Sequence, residues 1–392
     1  MKWPTLPGIA SVLVLLPAVP VMIPDPDPIP LPAPIGLLRF LLVLTFVLHL
    51  LPMNFVLGGS LLTLLSYARG RGASAEIGRH HRRLIGVLAR AFPVAIAFTI
   101  TLGIAPLLFV QVLYGQLFFS SSILMAWLWL AVVALLLLGY YAAYWHSFHH
   151  GTSERVAPWA ALGYSVIFLA IAFLFVNNFS LLQNPEIWRP LYLQGRSGLH
   201  LYALSDGGVF VRSLHFVLAA LALTGLIVAA VGLRREGVEP AFGRWTKVYG
   251  GRWFLGGTIL QLGSGIWFLS VQPSRVRDAL LGGNPEDSAL LAVAVGFALL
   301  ALAMLAPPSR ISTVRLSLAS GAIGVTVVLM VLLRQRVRTL WLEPYFRYDV
   351  LPVASQWGAI LLFLVLLLAG ISLVGWMLWR FFQKPAHVSS PN

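Results

Sequence analysis

The sequence of 392 residues contains no cysteine. This absence excludes disulfide bonds, iron–sulfur clusters and thiolate metal sites within the chain. It also excludes a covalently attached c-type haem, which requires a Cys-x-x-Cys-His motif. If the protein works with such groups, a partner subunit has to supply them.

Charged residues are scarce, at 10% of the chain, while hydrophobic residues make up 59%. Soluble domains contain roughly 25% charged residues, so the composition predicts a polytopic membrane protein. The net charge of +14 comes from basic residues in short connections between apolar runs. Basic residues in that position set membrane topology. We therefore expect a lipid membrane, and no nucleic acid, among the partners.

Acidic residues are missing from the middle of every apolar run. All 13 Asp and Glu residues fall in predicted loops or at the ends of the runs. Proton relays inside membranes usually use a carboxylate at membrane depth. This distribution disfavours an ion-coupled transporter.

Nine apolar runs reach the length of ~20 residues that a membrane-spanning helix needs. Since only helices satisfy all backbone polar groups of such runs in lipid, the prediction is an all-α fold with nine transmembrane helices. The runs are 36–66, 91–112, 121–146, 158–178, 209–233, 252–271, 286–306, 314–333 and 356–381. The bundle then covers residues 36–381, with a short tail at 382–392.

Residues 1–35 form an apolar and proline-rich segment before the first span. We predict that this segment lies at the membrane surface; an uncleaved anchor and a re-entrant piece are the alternatives. Loops 67–90 and 234–252 are rich in arginine and lie on one side if nine helices alternate. The positive-inside rule makes that side cytoplasmic. The prediction is a bacterial inner-membrane protein with its N-terminus outside and its C-terminus in the cytoplasm.

Two histidines lie within apolar runs, His49 in the first and His215 in the outer part of the fifth. An imidazole in lipid is costly unless it has a partner, and it raises a functional hypothesis. A neutral histidine in a helical bundle can ligate a haem iron axially. The alternative is a structural hydrogen bond between helices. Gln111 is another polar residue in such a run, and interhelical hydrogen bonding is the simpler role for it.

Six motifs, in order along the chain, resemble subunit I of the cytochrome bd quinol oxidases. "LRFLLVLTFVLHLLPMNFVLGG" is similar to the first helix of that family, in which an arginine precedes a haem-ligating histidine by ten residues, as Arg39 precedes His49. "RSLHFVLAALALTG" looks like the helix whose histidine binds haem b, and that histidine matches His215. "VLLRQRV" resembles an Arg-Gln pair at the outer end of the eighth helix, at Arg334.

The resemblance implies haem b with His49 and His215 as axial ligands of the iron. It also implies a possible quinone, and cofactor-site roles for Gln111, which matches a glutamine before the second loop, and for Arg334. The family's glutamate ligand falls near Val331, where Met330 is the adjacent candidate.

The sequence differs from the family at the residues that conduct protons and at the second axial ligand of a haem. The two proton-conducting glutamates of the family fall at Ser122 and Leu130, and its methionine ligand opposite the fifth-helix histidine falls near Ala292. The long quinol-binding loop is also shortened. A bundle without membrane carboxylates is poorly equipped to deliver protons to a buried oxygen site, so the chain is not expected to reduce oxygen.

The sequence therefore predicts a membrane subunit of a respiratory or photosynthetic electron-transfer complex. It would pass electrons through haem b, between quinone and a c-type cytochrome or an iron–sulfur subunit on the outer face, beside other membrane subunits. The main alternative is a haem-free scaffold that anchors such redox subunits. An oxygen-reducing quinol oxidase is the third and least favoured reading.

Overall fold

The computed structural model describes residues 29–153, 155–195, 198–204 and 206–383. Its architecture is a bundle of α-helices, as expected for a chain whose backbone polar groups must be satisfied within lipid. The helices are α1 (Ile35–Arg71), α2 (Ala75–Leu113), α3 (Gly115–Leu124), α4 (Ala126–His149), α5 (Ala157–Gln183), α6 (Trp188–Leu193), α7 (Gly208–Arg235), α8 (Pro240–Ser270), α9 (Ser274–Asp278), α10 (Pro285–Leu305), α11 (Thr313–Leu342) and α12 (Trp357–Gln383).

Among the described residues, eight helices are long and apolar enough to cross a membrane: α1, α2, α4, α5, α7, α10, α11 and α12. The predicted all-α, multi-pass membrane fold is confirmed. The sixth predicted span corresponds to α8, which is a 31-residue helix but is not among the eight. Its apolar part is interrupted by glycines and by Gln261, which lower its mean hydropathy.

Two helices differ from the predicted runs in a way that matters for the site. The third run is divided at Met125 into α3 and α4. The eighth predicted run ends at residue 333, but the corresponding helix, α11, continues for nine more residues to Leu342. Arg334, Arg336 and Arg338 therefore lie on a helix and not in the predicted outer loop.

The bundle has two ends, which we name by their character. The basic end is where α1, α4, α7 and α10 finish, and the loop end is where α2, α5, α8 and α11 finish. Ion pairs join neighbouring helices at the basic end, between Arg83 and Glu239 at 3.0 Å and between Lys247 and Glu236 at 2.6 Å. At the loop end, Leu31 forms a β-bridge with Val353.

The predicted surface segment and tail are only partly covered by the structure. Residues 1–28 and 384–392 lie outside the described residues. Residues 29–34 precede α1 and run beside the segment that leads into α12, where the amide of Leu31 donates to the carbonyl of Pro352 at 2.8 Å.

Helices α7 and α8 pack so closely that only glycine fits at their crossing. A Cβ atom at Gly250 would lie 2.3 Å from the backbone nitrogen of Ala229, and one at Gly225 would lie 2.4 Å from that of Phe254. Small residues allow this kind of backbone approach in membrane bundles, where dispersion contacts drive helix association. The α7–α8 pair is therefore a rigid support for side chains that lie farther along it.

The buried apolar side chains form separate clusters at different depths. One cluster, near the loop end, includes Leu42 of α1 and Val209 of α7. Another, toward the basic end, includes Val56 of α1 and Ala220 of α7. His49 and His215 each fall between the two clusters along their helices. The structure thus places both histidines in the layer that separates two apolar cores.

Candidate functional site

His49 has one of its ring nitrogens fixed by a backbone carbonyl of the neighbouring helix. Its Nδ1 lies 3.0 Å from the carbonyl oxygen of Thr99 in α2. A carbonyl only accepts hydrogen bonds, so Nδ1 carries the proton and Nε2 carries the lone pair. The ring is seated against Gly103, where a Cβ atom would lie 2.9 Å from Cε1. For Nε2, no hydrogen bond is found within the described part of the chain.

His215 has the same tautomer, fixed by a serine. Its Nδ1 lies 3.1 Å from Oγ of Ser264 in α8, and this hydroxyl donates to the carbonyl of Gln261 at 3.0 Å. Because the single hydroxyl proton is used in that way, Ser264 accepts from Nδ1–H and leaves the lone pair of His215 on Nε2. The tautomers follow from the partners of each ring.

A neutral imidazole with Nδ1–H held by a carbonyl or hydroxyl and Nε2 left as a donor atom is the usual state of a metal-ligating histidine. Both hydrogen bonds also join two helices, α1 to α2 and α7 to α8, so they satisfy the structural alternative as well. What distinguishes the two roles is the surroundings of Nε2 and the charges nearby.

Three arginines, which we call the arginine group, lie beside these histidines: Arg212, Arg334 and Arg338. The guanidinium carbon of Arg334 is 4.6 Å from the ring centroid of Phe46 and 5.1 Å from that of Phe179. The Phe46 ring in turn lies 6.3 Å from the His49 ring. Phe179 is shared, because Arg338 lies 5.5 Å from its centroid.

On the other side, Arg212 makes the equivalent connection to His215. Its guanidinium carbon lies 5.4 Å from the centroid of Phe268, whose ring stacks on the His215 ring at 6.1 Å and 17°. Each histidine is therefore next to a phenylalanine that faces a member of the arginine group. Both histidines are therefore separated from the arginine group by a single phenylalanine ring.

Arg338 is the most unusual member, since its side chain is fully buried, with 0% exposure. None of its three guanidinium nitrogens has a hydrogen-bond partner within the described residues, and its nearest aromatic contact is the ring of Tyr114 at 4.9 Å. A buried cation without an anion is strongly unfavourable. A negatively charged group next to Arg338 would therefore stabilise the site.

The other predicted site residues are not brought to these contacts. Met330 lies one turn before Arg334 and packs against a cluster that includes Leu333 and Val337. Gln111 is partly buried in the last turn of α2, and its side chain forms no hydrogen bond with the residues that the structure describes. Ala292 is exposed on α10.

The two positions that match proton-conducting glutamates lie in different surroundings. Ser122 and its neighbour Ser121 are both hydrogen-bonded to the Asn178 side chain, each at 3.2 Å. Leu130 is 62% exposed on α4 and faces away from the bundle. Asp287 is buried in the first turn of α10, where it pairs with Arg336 at 2.7 Å.

A polar cleft of about 280 Å³ opens at the loop end beside Arg212. It is lined by α5, by α7 and the segment before it, by α11 and by the segment that follows α8, with the side chains of Ser180, Gln183, Tyr202, Asp206, Gln272 and Trp341. Arg212 donates to Oγ of Ser180 at 3.1 Å and to Oε1 of Gln183 at 3.0 Å. Burial, together with the Asp206 carboxylate, raises the pKa of Tyr202 to about 12, so this phenol keeps its proton.

Known proteins give one informative comparison. No family model matches the sequence, and no curated protein matches it. Among solved structures, the chain is similar to the bd oxidase from Geobacillus thermodenitrificans, with a TM-score of 0.66 and 14% sequence identity over 91% of this chain and 100% of that one. The chain therefore has a bd-oxidase-like fold. At this identity the similarity concerns the fold alone, and the roles of individual residues do not follow from it.

Sequence analysis identified the two histidines as candidate site residues but did not identify Arg212 and Arg338. Arg338 falls in the predicted outer loop after the run 314–333, and Arg212 occurs only as the first residue of the fifth-helix motif. Their spacing held the available signal: Arg338 follows Arg334 by four residues and Arg212 precedes His215 by three, so each pair shares a helix face. Phe46, Phe179 and Phe268 carried no signal, because phenylalanine is common in every span.

Proposed function

We propose that the chain is the membrane subunit of an electron-transfer complex in a bacterial inner membrane, with haem b held by His49, His215 or both. Haem b supplies one-electron oxidation and reduction. Electrons would pass between a membrane quinone and a c-type cytochrome or iron–sulfur subunit docked at the loop end. The basic end is cytoplasmic under the positive-inside rule.

The observation that carries this proposal is the buried guanidinium of Arg338, which has no hydrogen-bond partner among the described residues. Haem b has two propionate carboxylates, and an arginine can bind a carboxylate through two parallel hydrogen bonds. The arginine group would hold those carboxylates, while His49 or His215 would bind the iron through Nε2. An anion of this kind accounts for a buried cation that a purely structural role leaves unexplained.

Two further features support the same assignment. Thr99 and Ser264 hold the imidazoles in the tautomer that a haem ligand needs, and such outer contacts tune ligand basicity and orientation. Gly103 and Gly265 keep the space next to Cε1 of each ring free, since a Cβ atom there would lie 2.9 Å and 3.2 Å away. The residues present therefore fit a haem at either histidine.

The cleft at the loop end is the site that we assign to the quinone headgroup. Quinone carbonyl oxygens accept hydrogen bonds, and the cleft offers donors from Arg212 and Gln183. Asp206 is the carboxylate in the lining, and its Oδ1 already accepts from the amide of Gly208 at 2.9 Å. Its other oxygen would take up a proton released from a quinol, while Arg212 connects the cleft to His215 through Phe268.

Quinol should reduce the purified complex without oxygen being consumed. Neither Ser122 nor Leu130 can exchange protons as a carboxylate does, and Leu130 faces away from the interior. The test records haem absorption and oxygen concentration together after excess reduced quinol is added. We expect haem reduction with no oxygen uptake above the rate of a protein-free control. Turnover of oxygen at tens per second or more, typical of oxidases, would contradict the proposal.

The alternative, a haem-free scaffold subunit, is favoured by the exposed Ala292, which supplies no second axial ligand. The same experiment separates the two functions. A scaffold shows no absorption change with quinol, whereas the electron-transfer subunit does. The variant Gln183→Ala should slow quinol-driven reduction and leave reduction by dithionite unchanged, because Gln183 lines the cleft but is not in the arginine group, and dithionite does not need the cleft.

A further inference from the structure

An apolar groove lies between α10 and α11 on the outer surface of the bundle, away from the histidines and the arginine group. It has a volume of about 350 Å³. Phe297, Leu300 and Met304 of α10 form one wall, and Leu318, Gly321 and Val325 of α11 form the other. Both helices are long and apolar enough to span a membrane, so the groove opens toward lipid.

The groove has open space at Gly321, which is part of its lining. A Cβ atom placed at Gly321 would meet no other atom within 4 Å. Leu300 and Leu318 are 44% and 57% exposed at the edges, so the apolar walls are accessible from outside the bundle. The shape suits a flexible hydrocarbon chain lying along the helices over Gly321.

Two arginines lie at the basic end of the two helices that form the groove. Arg310 is exposed in the connection between α10 and α11, and Arg315 lies in the first turn of α11. Leu318 and Val325 follow Arg315 by three and ten residues, which puts all three on one helix face. Between Asp287 and Glu343 the sequence contains no acidic residue, and among the described residues no ion pair involves Arg310 or Arg315.

We propose that this groove binds an anionic phospholipid, with its phosphate at Arg310 and Arg315 and one acyl chain over Gly321. Charge and shape support the same ligand. A lipid without net charge would not neutralise the two arginines, and a free phosphate would not fill the apolar groove. Basic pockets between spanning helices on the cytoplasmic side characteristically receive anionic headgroups. Along α11, the distance from Arg315 to Gly321 is about 9 Å, which suits a headgroup above the start of an acyl chain.

Native mass spectrometry of the purified full-length protein tests the proposal with dioleoyl phosphatidylglycerol and dioleoyl phosphatidylcholine, which share their acyl chains. We expect phosphatidylglycerol to bind at least 10-fold more tightly. The double variant Arg310→Gln/Arg315→Gln should lose about 30-fold in phosphatidylglycerol affinity and keep its phosphatidylcholine affinity. The control Arg71→Gln/Arg79→Gln removes two exposed arginines elsewhere on the basic end and should change neither.

A second pair of variants tests the groove itself. Gly321→Leu fills it and should weaken both lipids, whereas Gly324→Leu is an equal change on the same helix, outside the groove, and should weaken neither. Equal binding of the two lipids by the unmodified protein would overturn the proposal. So would a bound helical peptide that is displaced by Gly321→Leu while lipid binding stays constant, because the groove would then belong to a protein partner.

Discussion

Replacing His215 with alanine will remove one haem b component from the reduced spectrum of the purified protein. Under the proposed function, the lone pair of Nε2 would bind the iron, and within the described structure no other histidine contacts Phe268 or Ser264. Alanine leaves that coordination position empty, so the haem is lost or its iron changes spin state. His49→Ala should have the same effect on the component bound at the other histidine.

Two controls separate ligation from general damage. His149→Ala removes a histidine that stacks on Trp145 at the basic end, and it should leave the spectrum unchanged. Ser264→Ala keeps the ligand but removes the acceptor of its Nδ1–H, and loss of such outer contacts typically weakens a metal ligand 10- to 100-fold. A spectrum unaffected by both His215→Ala and His49→Ala would remove the two histidines from the ligand set.

The variant Arg338→Met should change stability in opposite directions with and without haem. In the haem-free protein, the substitution removes a fully buried cation that has no partner within the described residues, so the melting temperature should rise. In the haem-loaded protein, it removes one member of a buried ion pair, which is expected to cost about 3–5 kcal/mol. Thermal unfolding of protein from haem-deficient and haem-sufficient cells measures both values.

Arg39→Met provides the comparison for this measurement. Arg39 is exposed and lies 5.1 Å from the ring of Tyr348, so its replacement should change stability by less than about 1 kcal/mol in either form. If Arg338→Met stabilises the protein equally in both forms, no anion pairs with Arg338 and the haem carboxylates lie elsewhere.

Much of the fold was predictable because lipid imposes a simple rule on the backbone. Apolar runs of sufficient length become helices, and the run at 209–233 corresponds closely to α7 (Gly208–Arg235). The boundaries of α11 were not predictable in the same way, because a helix that leaves the apolar layer can continue as long as its polar residues find a suitable environment. That extension is what buries Arg338.

The site was predictable only in part, for a related reason. His49 and His215 stand out because an imidazole within an apolar run is rare and costly. The hydrogen bonds that His49 and His215 donate to Thr99 and Ser264 depend on how α1 meets α2 and how α7 meets α8. The phenylalanine contacts with Arg334 also depend on how α11 meets α1 and α5. Pairings of this kind are set by close contacts such as that at Gly250, which a single sequence does not reveal.

The cleft also depends on tertiary structure. Its lining comes from α5, α7, α11 and the segment after α8, which lie far apart in sequence. No sequence motif surrounds Asp206 or Gln272. The two residues come together only because four chain segments meet at the loop end.

The reduced-minus-oxidised optical spectrum of the purified full-length protein tests the central claim most directly. The account predicts absorption bands of haem b that appear on reduction with dithionite and with quinol. A spectrum without haem bands, from protein that is folded and expressed in haem-sufficient cells, would contradict the account and leave the scaffold function in its place.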